Sequence, residues 1–277
     1  MTYRTMAAIL PATLLAAGCT DNRPTKAEKA AASAVPGAPP GGVADVLAKG
    51  APASDVRERN DLIDFAYAYP KDAARIPELA RFLDTDRQVK REALIAAAGR
   101  DKAASEKEGF PYRAHSHLQT WLRVTNTPRF LSLSAEIETY MGGAHGMEGF
   151  DTLLWDRGKR RMLKPLDLFT SPETFDVAIA DDFCARIRQA KAAKGIMSSG
   201  AADASAGGAF AACPAASAQT VWLGSSDGRH IDRMTIAIAP YEIGPYAEGS
   251  YKINVPMTAK LVDAVKPEFA RDVLPIN

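Results

Sequence analysis

Four kinds of apolar spacing follow one another along the chain. The first is an unbroken apolar run, Met6–Ala17, behind a basic start at Arg4. Its 12 residues fall short of the about 20 that a membrane-crossing helix needs, so it reads as the hydrophobic part of an export signal. From Thr20 to about Ser54 no period appears. Ala, Pro, Gly and small polar residues, with Val35-Pro36-Gly37-Ala38-Pro39-Pro40-Gly41-Gly42 among them, predict a disordered tether. The globular body is expected from near Asp61, where Leu62–Tyr69 reads as a strand that Pro70 ends. Ile76, Leu79, Ala80 and Leu83 then step at helical spacing. A second helix is predicted over Arg87–Ala98, with Asp84 or Asp86 as its cap and Gly99 as its stop.

The period next drops to two. Leu118, Thr120, Leu122 and Val124 share one face of a strand, and His115, His117, Gln119, Trp121 and Arg123 share the other, which reads as solvated. Leu131, Leu133, Ala135 and Ile137 alternate with Ser132, Ser134, Glu136 and Glu138 in an antiparallel partner. Gly142-Gly143-Ala144-His145-Gly146 predicts a tight reversal before a strand at Phe150–Trp155, and Asp156-Arg157-Gly158-Lys159 a hairpin turn. The strongest helix signal follows Phe169. Thr170 and Glu173 have capping-box spacing, Pro172 suits the first turn, and Phe175, Ile179, Phe183 and Ile187 step by four along a buried face. Lys191, Lys194 and Gly195 close it. Ser198–Ala218 is a small-residue insertion. Strands at Met234–Ala239 and Tyr251–Val255 and a short helix over Thr258–Ala264 complete the pattern. Strands meeting helices without βαβ alternation indicate an α+β fold with antiparallel sheets.

Composition narrows the function. The 277 residues allow one large or two small domains, and 34 Lys+Arg against 33 Asp+Glu leave a formal charge of +1. No basic excess is available to neutralise phosphates, which argues against a nucleic-acid partner and against attraction to anionic lipid. Leu15-Ala16-Ala17-Gly18-Cys19 resembles a bacterial lipobox, which implies that Cys19 becomes a lipidated N-terminus. More than one acyl chain on it makes anchoring stable. The alternative is an ordinary secretory signal with an incidental cysteine. With Cys19 so assigned, Cys184 and Cys213 form an even pair in an exported protein, where disulfides persist; otherwise they are two free thiols, one on a helix and one in a loop.

Three stretches carry a family resemblance: Tyr140-Met141-Gly142-Gly143-Ala144-His145-Gly146, Lys164-Pro165-Leu166-Asp167-Leu168-Phe169, and Pro240-Tyr241-Glu242-Ile243-Gly244-Pro245-Tyr246-Ala247-Glu248-Gly249. Together, over about residues 60–265, they resemble the RsiV/PdaC-type extracytoplasmic domain pair, two domains of unknown function found in an anti-sigma factor and in a peptidoglycan deacetylase. The resemblance implies two small α+β lobes, the second built around a Thr170–Lys194 helix. The resulting layout is signal peptide 1–19, linker 20–55, PdaC-like lobe 56–160 and RsiV-like lobe 161–277. Neither the transmembrane and sigma-binding segments of the regulator nor the separate metal-dependent domain of the enzyme is expected here. The resemblance does imply a sensor role toward a lysozyme-like protein.

Candidate chemistry is sparse. Gly224-Ser225-Ser226-Asp227-Gly228 has the G-x-S-x-G spacing, but a β-run follows it where a nucleophile elbow needs a helix, so a hairpin turn is the expectation. His115 and His117 could hold zinc only if His145 or Glu136 approached, and no metal or other cofactor is expected. Tyr241, Tyr246 and Tyr251, in and beside the proline- and glycine-rich stretch, could make an aromatic sugar-binding platform, with a packed crossover between strands as the alternative. His145 in its glycine turn could be a base or ligand contact, or bond local backbone, and the candidate ligand surface is His145, Tyr241 and Tyr246. Glu242 and Glu248 could act as a glycosidase pair only across a cleft. The sequence therefore points to a non-enzymatic, lipid-anchored envelope protein on the periplasmic face of a bacterial membrane. Its expected ligand is a lysozyme-like protein or a peptidoglycan fragment, with a hydrolase of envelope polymers as the alternative.

Overall fold

The computed structural model describes residues 52–196, 210 and 212–276. Six strands form the first sheet in chain order: β1 (Pro52–Arg59), β2 (Ile63–Pro70), β3 (His115–Asn126), β4 (Phe130–Tyr140), β5 (Met147–Asp156) and β6 (Arg161–Leu163). The second sheet holds β7 (Thr220–Gly224), β8 (Arg233–Ile238) and β9 (Tyr251–Pro256). The helices are α1 (Lys71–Ala74), α2 (Pro77–Glu108), α3 (Pro172–Ala193) and α4 (Ala259–Asp263). The α+β class holds, with one departure. Strands β2 and β3 run parallel, and parallel neighbours need a long crossover, which α1 and α2 supply. One βαβ unit thus sits in otherwise antiparallel sheets.

Strand β1 begins inside the stretch expected to be linker over 20–55, ahead of the body's expected start near Asp61. Val56 is its only sizeable apolar side chain, so hydropathy gives no sign of it. Backbone pairing to β2 (Val56 opposite Tyr67) holds it as an edge strand. The expected export signal, Cys19 and the rest of the expected linker lie outside the described residues.

Helix α2 is continuous where two helices were expected. Gly99 lies within it, and the stop is Gly109, whose φ of 75° suits a residue without a Cβ and whose N–H donates to the Ser105 carbonyl. Asp84 and Asp86 are not caps. They accept hydrogen bonds from the hydroxyls of Tyr69 (3.0 Å) and Tyr67 (2.7 Å) across the helix–sheet interface. The buried side of α2 therefore reads Leu79, Leu83, Asp86, Lys90, Leu94, Ala98, a stripe at helical spacing with a charged pair in its middle. That interruption explains why the sequence splits the helix in two.

The same interface inverts the expectation for β3. The face carrying His115, Gln119 and Trp121 is buried, not solvated, and packs toward α2. The interface gives two of those residues partners: Lys90 of α2 donates to Gln119 Oε1 at 2.9 Å, and Trp121 Nε1 donates at 2.9 Å to the Tyr67 hydroxyl of β2, which Asp86 holds in turn.

Around the second sheet a separate apolar core forms. Phe175, Ile179, Phe183 and Ile187 of α3 meet Ile236, Ile238, Ile253 and Val255, with Phe130 and Leu154 contributed by the first sheet. The cap of α3 is Ser171, one residue past the expected Thr170; its Oγ accepts from Thr174 N at 3.1 Å. Cys184 on α3 is bonded to Cys213, so the pair is a disulfide. The two sheets are also pinned directly. Thr152 Oγ1 donates to the Val221 carbonyl (2.8 Å), Trp222 Nε1 to the Asp151 carbonyl (2.9 Å), and Phe150 meets Trp222 edge-on. No helix among the described residues is long and apolar enough to cross a membrane.

Candidate functional site

The loop between β4 and β5 and the crossover between β8 and β9 bring three rings together. His145 comes from the first; Tyr241 and Tyr246 come from the second. His145 stacks on Tyr246 with centroids 3.8 Å apart and planes 18° apart, and Tyr241 lies 5.6 Å from Tyr246 and 6.3 Å from His145. Residues 96 positions apart thus share one exposed surface, joined by a 3.3 Å hydrogen bond between Tyr241 Oη and His145 Nε2. The opposite ring nitrogen, Nδ1, lies 2.8 Å from the Gly146 carbonyl, which can only accept. Nδ1 therefore carries the proton, and Nε2 accepts from the tyrosine.

Glycine shapes the first loop. Gly142 and Gly143 hold φ of 91° and 86°, and a Cβ on Gly146 would sit 2.8 Å from the Thr139 carbonyl oxygen. The crossover is built differently. Tyr241 itself has φ of 73°, a left-handed conformation that is uncommon for a tyrosine. Ile243 anchors the segment in the core, and the last turn of α3 clamps it. Lys191 Nζ donates to the Ile243 carbonyl, while Lys194 Nζ donates to the carbonyls of Glu248 (2.6 Å) and Ser250 (2.8 Å) and lies 3.7 Å from the Tyr251 ring centroid. Burial lowers the Lys194 pKa. The long helix therefore serves to hold two of the three rings in place.

Of the two acidic residues of the crossover, Glu242 is exposed and Glu248 is engaged. Glu248 accepts from Tyr251 Oη at 2.7 Å, lies 3.5 Å from Lys191 Nζ, and packs against Gly244, where a Cβ would collide with its carboxylate. Burial and then the Glu248 carboxylate raise the Tyr251 pKa. Tyr251 is thus a buried support and not a fourth surface ring.

Other candidates are not assembled. His117 stacks on Phe65 and bonds Gln119 Oε1 at 3.0 Å, and burial lowers its pKa. His115 faces Asp101 at 3.3 Å, Glu136 pairs with Lys252 at 2.7 Å, and His145 belongs to the ring cluster. No group of three or more His, Cys, Asp or Glu among the described residues could hold a metal ion. The G-x-S-x-G stretch joins the antiparallel β7 and β8, the hairpin connection expected. Ser226 Oγ there donates to Asp232, and Asp227 accepts from His230 Nδ1 at 2.8 Å. The sequence missed the polar cluster beneath α2. Its signal was present in the carboxylate–lysine pair at Asp86 and Lys90, facing two tyrosines two residues apart.

An α+β body of two sheets that displays a ring cluster assembled from distant loops is the class of protein defined here. Residues 56–148 match the family described as Deacetylase PdaC, and the PdaC-type resemblance holds over that segment. Two solved structures are similar in fold. One is a member of the DUF3298 family from Bacteroides fragilis NCTC 9343, at 17% identity, covering 81% of this chain and 98% of that one, with a TM-score of 0.49. The other is a DUF3298 family protein from Pseudomonas aeruginosa PAO1, at 17% identity, covering 77% of this chain and 94% of that one, with a TM-score of 0.48. No curated protein matches the chain.

Proposed function

We propose that this chain is a non-enzymatic binding module of the bacterial envelope, exported and tethered through lipid on Cys19. The rings of His145, Tyr241 and Tyr246 receive a peptidoglycan-derived glycan. The observation that carries this reading is the ring cluster itself. Exposed His145 stacks on half-buried Tyr246 with planes 18° apart, exposed Tyr241 is tilted 34° to Tyr246, and a clamped crossover and a glycine-shaped loop hold the three on one surface. Aromatic faces offer apolar area at low entropic cost, and the apolar side of a sugar ring fits them. Engagement of Glu248 by Tyr251 and Lys191 supports binding over hydrolysis.

Calorimetric titration of the full chain with N-acetylglucosamine oligomers and muropeptides tests this, alongside retention on immobilised lysozyme. Tyr246→Ala should weaken glycan binding about tenfold, the loss expected from one stacked ring. Retention on lysozyme with no glycan affinity would replace the glycan with a protein ligand. Turnover of a wall fragment would establish the hydrolase instead.

A further inference from the structure

The charged notch in the buried stripe of α2 opens into a cavity of about 410 Å3 that shares no lining residue with the ring cluster. Phe82, Trp121 and Met162 form its apolar walls, and Asp86, Asp151 and Lys164 are among its polar ones. The volume lies in the range typical of small-ligand sites. Phe82 and Met162 are exposed by 40% and 42%, so apolar surface at the cavity waits to be covered.

The carboxylates differ in how they are satisfied. Asp86 accepts from Tyr67 Oη at 2.7 Å and pairs with Lys90 at 2.9 Å. Asp167, also at the wall, accepts from the Lys164 backbone N–H at 2.8 Å. Asp151 has less. Among the described residues its carboxylate accepts only the backbone N–H of Thr152, at 2.7 Å, and no ion pair reaches it. Burial raises its pKa, with Lys90 opposing and Asp86 reinforcing the shift. Asp86 is paired with Lys90, and Lys164 and Asp167 are exposed, so Asp151 is the half-buried carboxylate of the wall that no ion pair reaches among the described residues. A carboxylate without a counter-ion beside aromatic walls is an arrangement complementary to a cation.

We infer that this cavity binds a primary ammonium group, seated between the Asp151 carboxylate and the rings of Phe82 and Trp121. The body that carries the ammonium covers Phe82 and Met162. Both an amino sugar without its acetyl group and the side chain of a diamino acid present this chemistry.

The test is titration of the full chain with glucosamine and, separately, with Nα-acetyl-lysine amide, followed by the NMR signal of the Trp121 indole N–H. N-acetylglucosamine and Nα,Nε-diacetyl-lysine amide are the matched controls. A shift of the Trp121 signal with either free amine, weakened about tenfold or more by acetylation, is the expected result; which amine acts identifies the source. Asp151→Asn keeps the shape and the acceptor for Thr152 N–H, and it should lower affinity about tenfold. Phe82→Ala, at an exposed wall, should lower it about threefold to fivefold. No shift with either amine, equal response to the acetylated controls, or full affinity in Asp151→Asn overturns the inference. Tyr246→Ala should leave this signal untouched, so failure here is separable from failure of glycan binding at the ring cluster.

Discussion

Replacing Arg129 with Met should destabilise the fold by about 2–3 kcal/mol, because this one side chain ties the first sheet to the end of the chain. Arg129 sits just before β4. Its Nη2 meets Asp156 at 3.1 Å, and its Nη1 meets Asp272 at 2.7 Å and the Glu268 carbonyl at 2.9 Å. Its guanidinium carbon also lies 5.1 and 4.7 Å from the ring centroids of Phe130 and Phe269. Asp156 has no exposed side-chain surface. Burial alone would raise its pKa, yet Arg129 and the backbone N–H groups of Lys159 and Gly158 bring it below the ordinary value. Removing one partner of a buried pair costs about 3–5 kcal/mol. Here the guanidinium is one-fifth exposed and Asp156 keeps two backbone donors, so the lower figure follows. For a body of this size that corresponds to a fall in Tm of about 5–10 °C. The pH sign is fixed as well. With its folded pKa depressed, Asp156 contributes stability above its unfolded pKa and loses it as pH falls through the folded one. Denaturation of both proteins at pH 7 and pH 3 should show a difference that shrinks in acid. A loss below about 0.5 kcal/mol at pH 7, or one unchanged in acid, would refute the reasoning.

Two further changes probe the rest of the architecture. Cys184→Ser with Cys213→Ser opens a loop with a sequence separation of 29 residues. On the chain-entropy account this costs about 3.6 kcal/mol, or about 10 °C in a thermal scan; a shift under about 2 °C would mean that the bond constrains little. Cys19→Ala should release the protein from membranes into the soluble fraction, read by fractionation and immunoblot. Continued membrane association in that variant would show that the lipid assignment is wrong.

Where the sequence is legible, a single period governs a segment. Helix α3 shows Phe175, Ile179, Phe183 and Ile187 in strict steps of four, and its one error is a cap misplaced by a residue, from Thr170 to Ser171. Strand β9 alternates cleanly and was legible for the same reason, whereas β4, expected to be half-buried, is buried on both faces over its first six residues, Ser132 and Ser134 included. Legibility fails where two elements share polar residues. The charges of Asp86 and Lys90 make α2 read as two helices, and His115, Gln119 and Trp121 make the buried side of β3 read as its wet side. Each error has its cause in the other element. Hydropathy treats a polar side chain as surface, but a hydroxyl or amide opposite a lysine or carboxylate can be buried once its hydrogen bond is made.

The candidate site divides along the same line. The sequence pointed to His145, Tyr241 and Tyr246 as a candidate ligand surface, yet nothing local could bring position 145 beside 241 and 246. That contact depends on Lys191 and Lys194 gripping the crossover from α3, a tertiary arrangement with no periodic trace. The cavity lies deeper still in tertiary structure, since its walls come from α2, β3, β5 and the segment around β6. Asp151 sits in a strand that reads as ordinary, and its carboxylate becomes notable only once it is found half-buried in the cavity wall with no ion pair among the described residues. The charge pattern that hid the α2–β3 interface from a periodicity reading is thus the same feature that builds the cavity. A sequence search for such sites should therefore look for polar breaks in an otherwise buried stripe, opposite strands rich in Tyr, Gln and Trp.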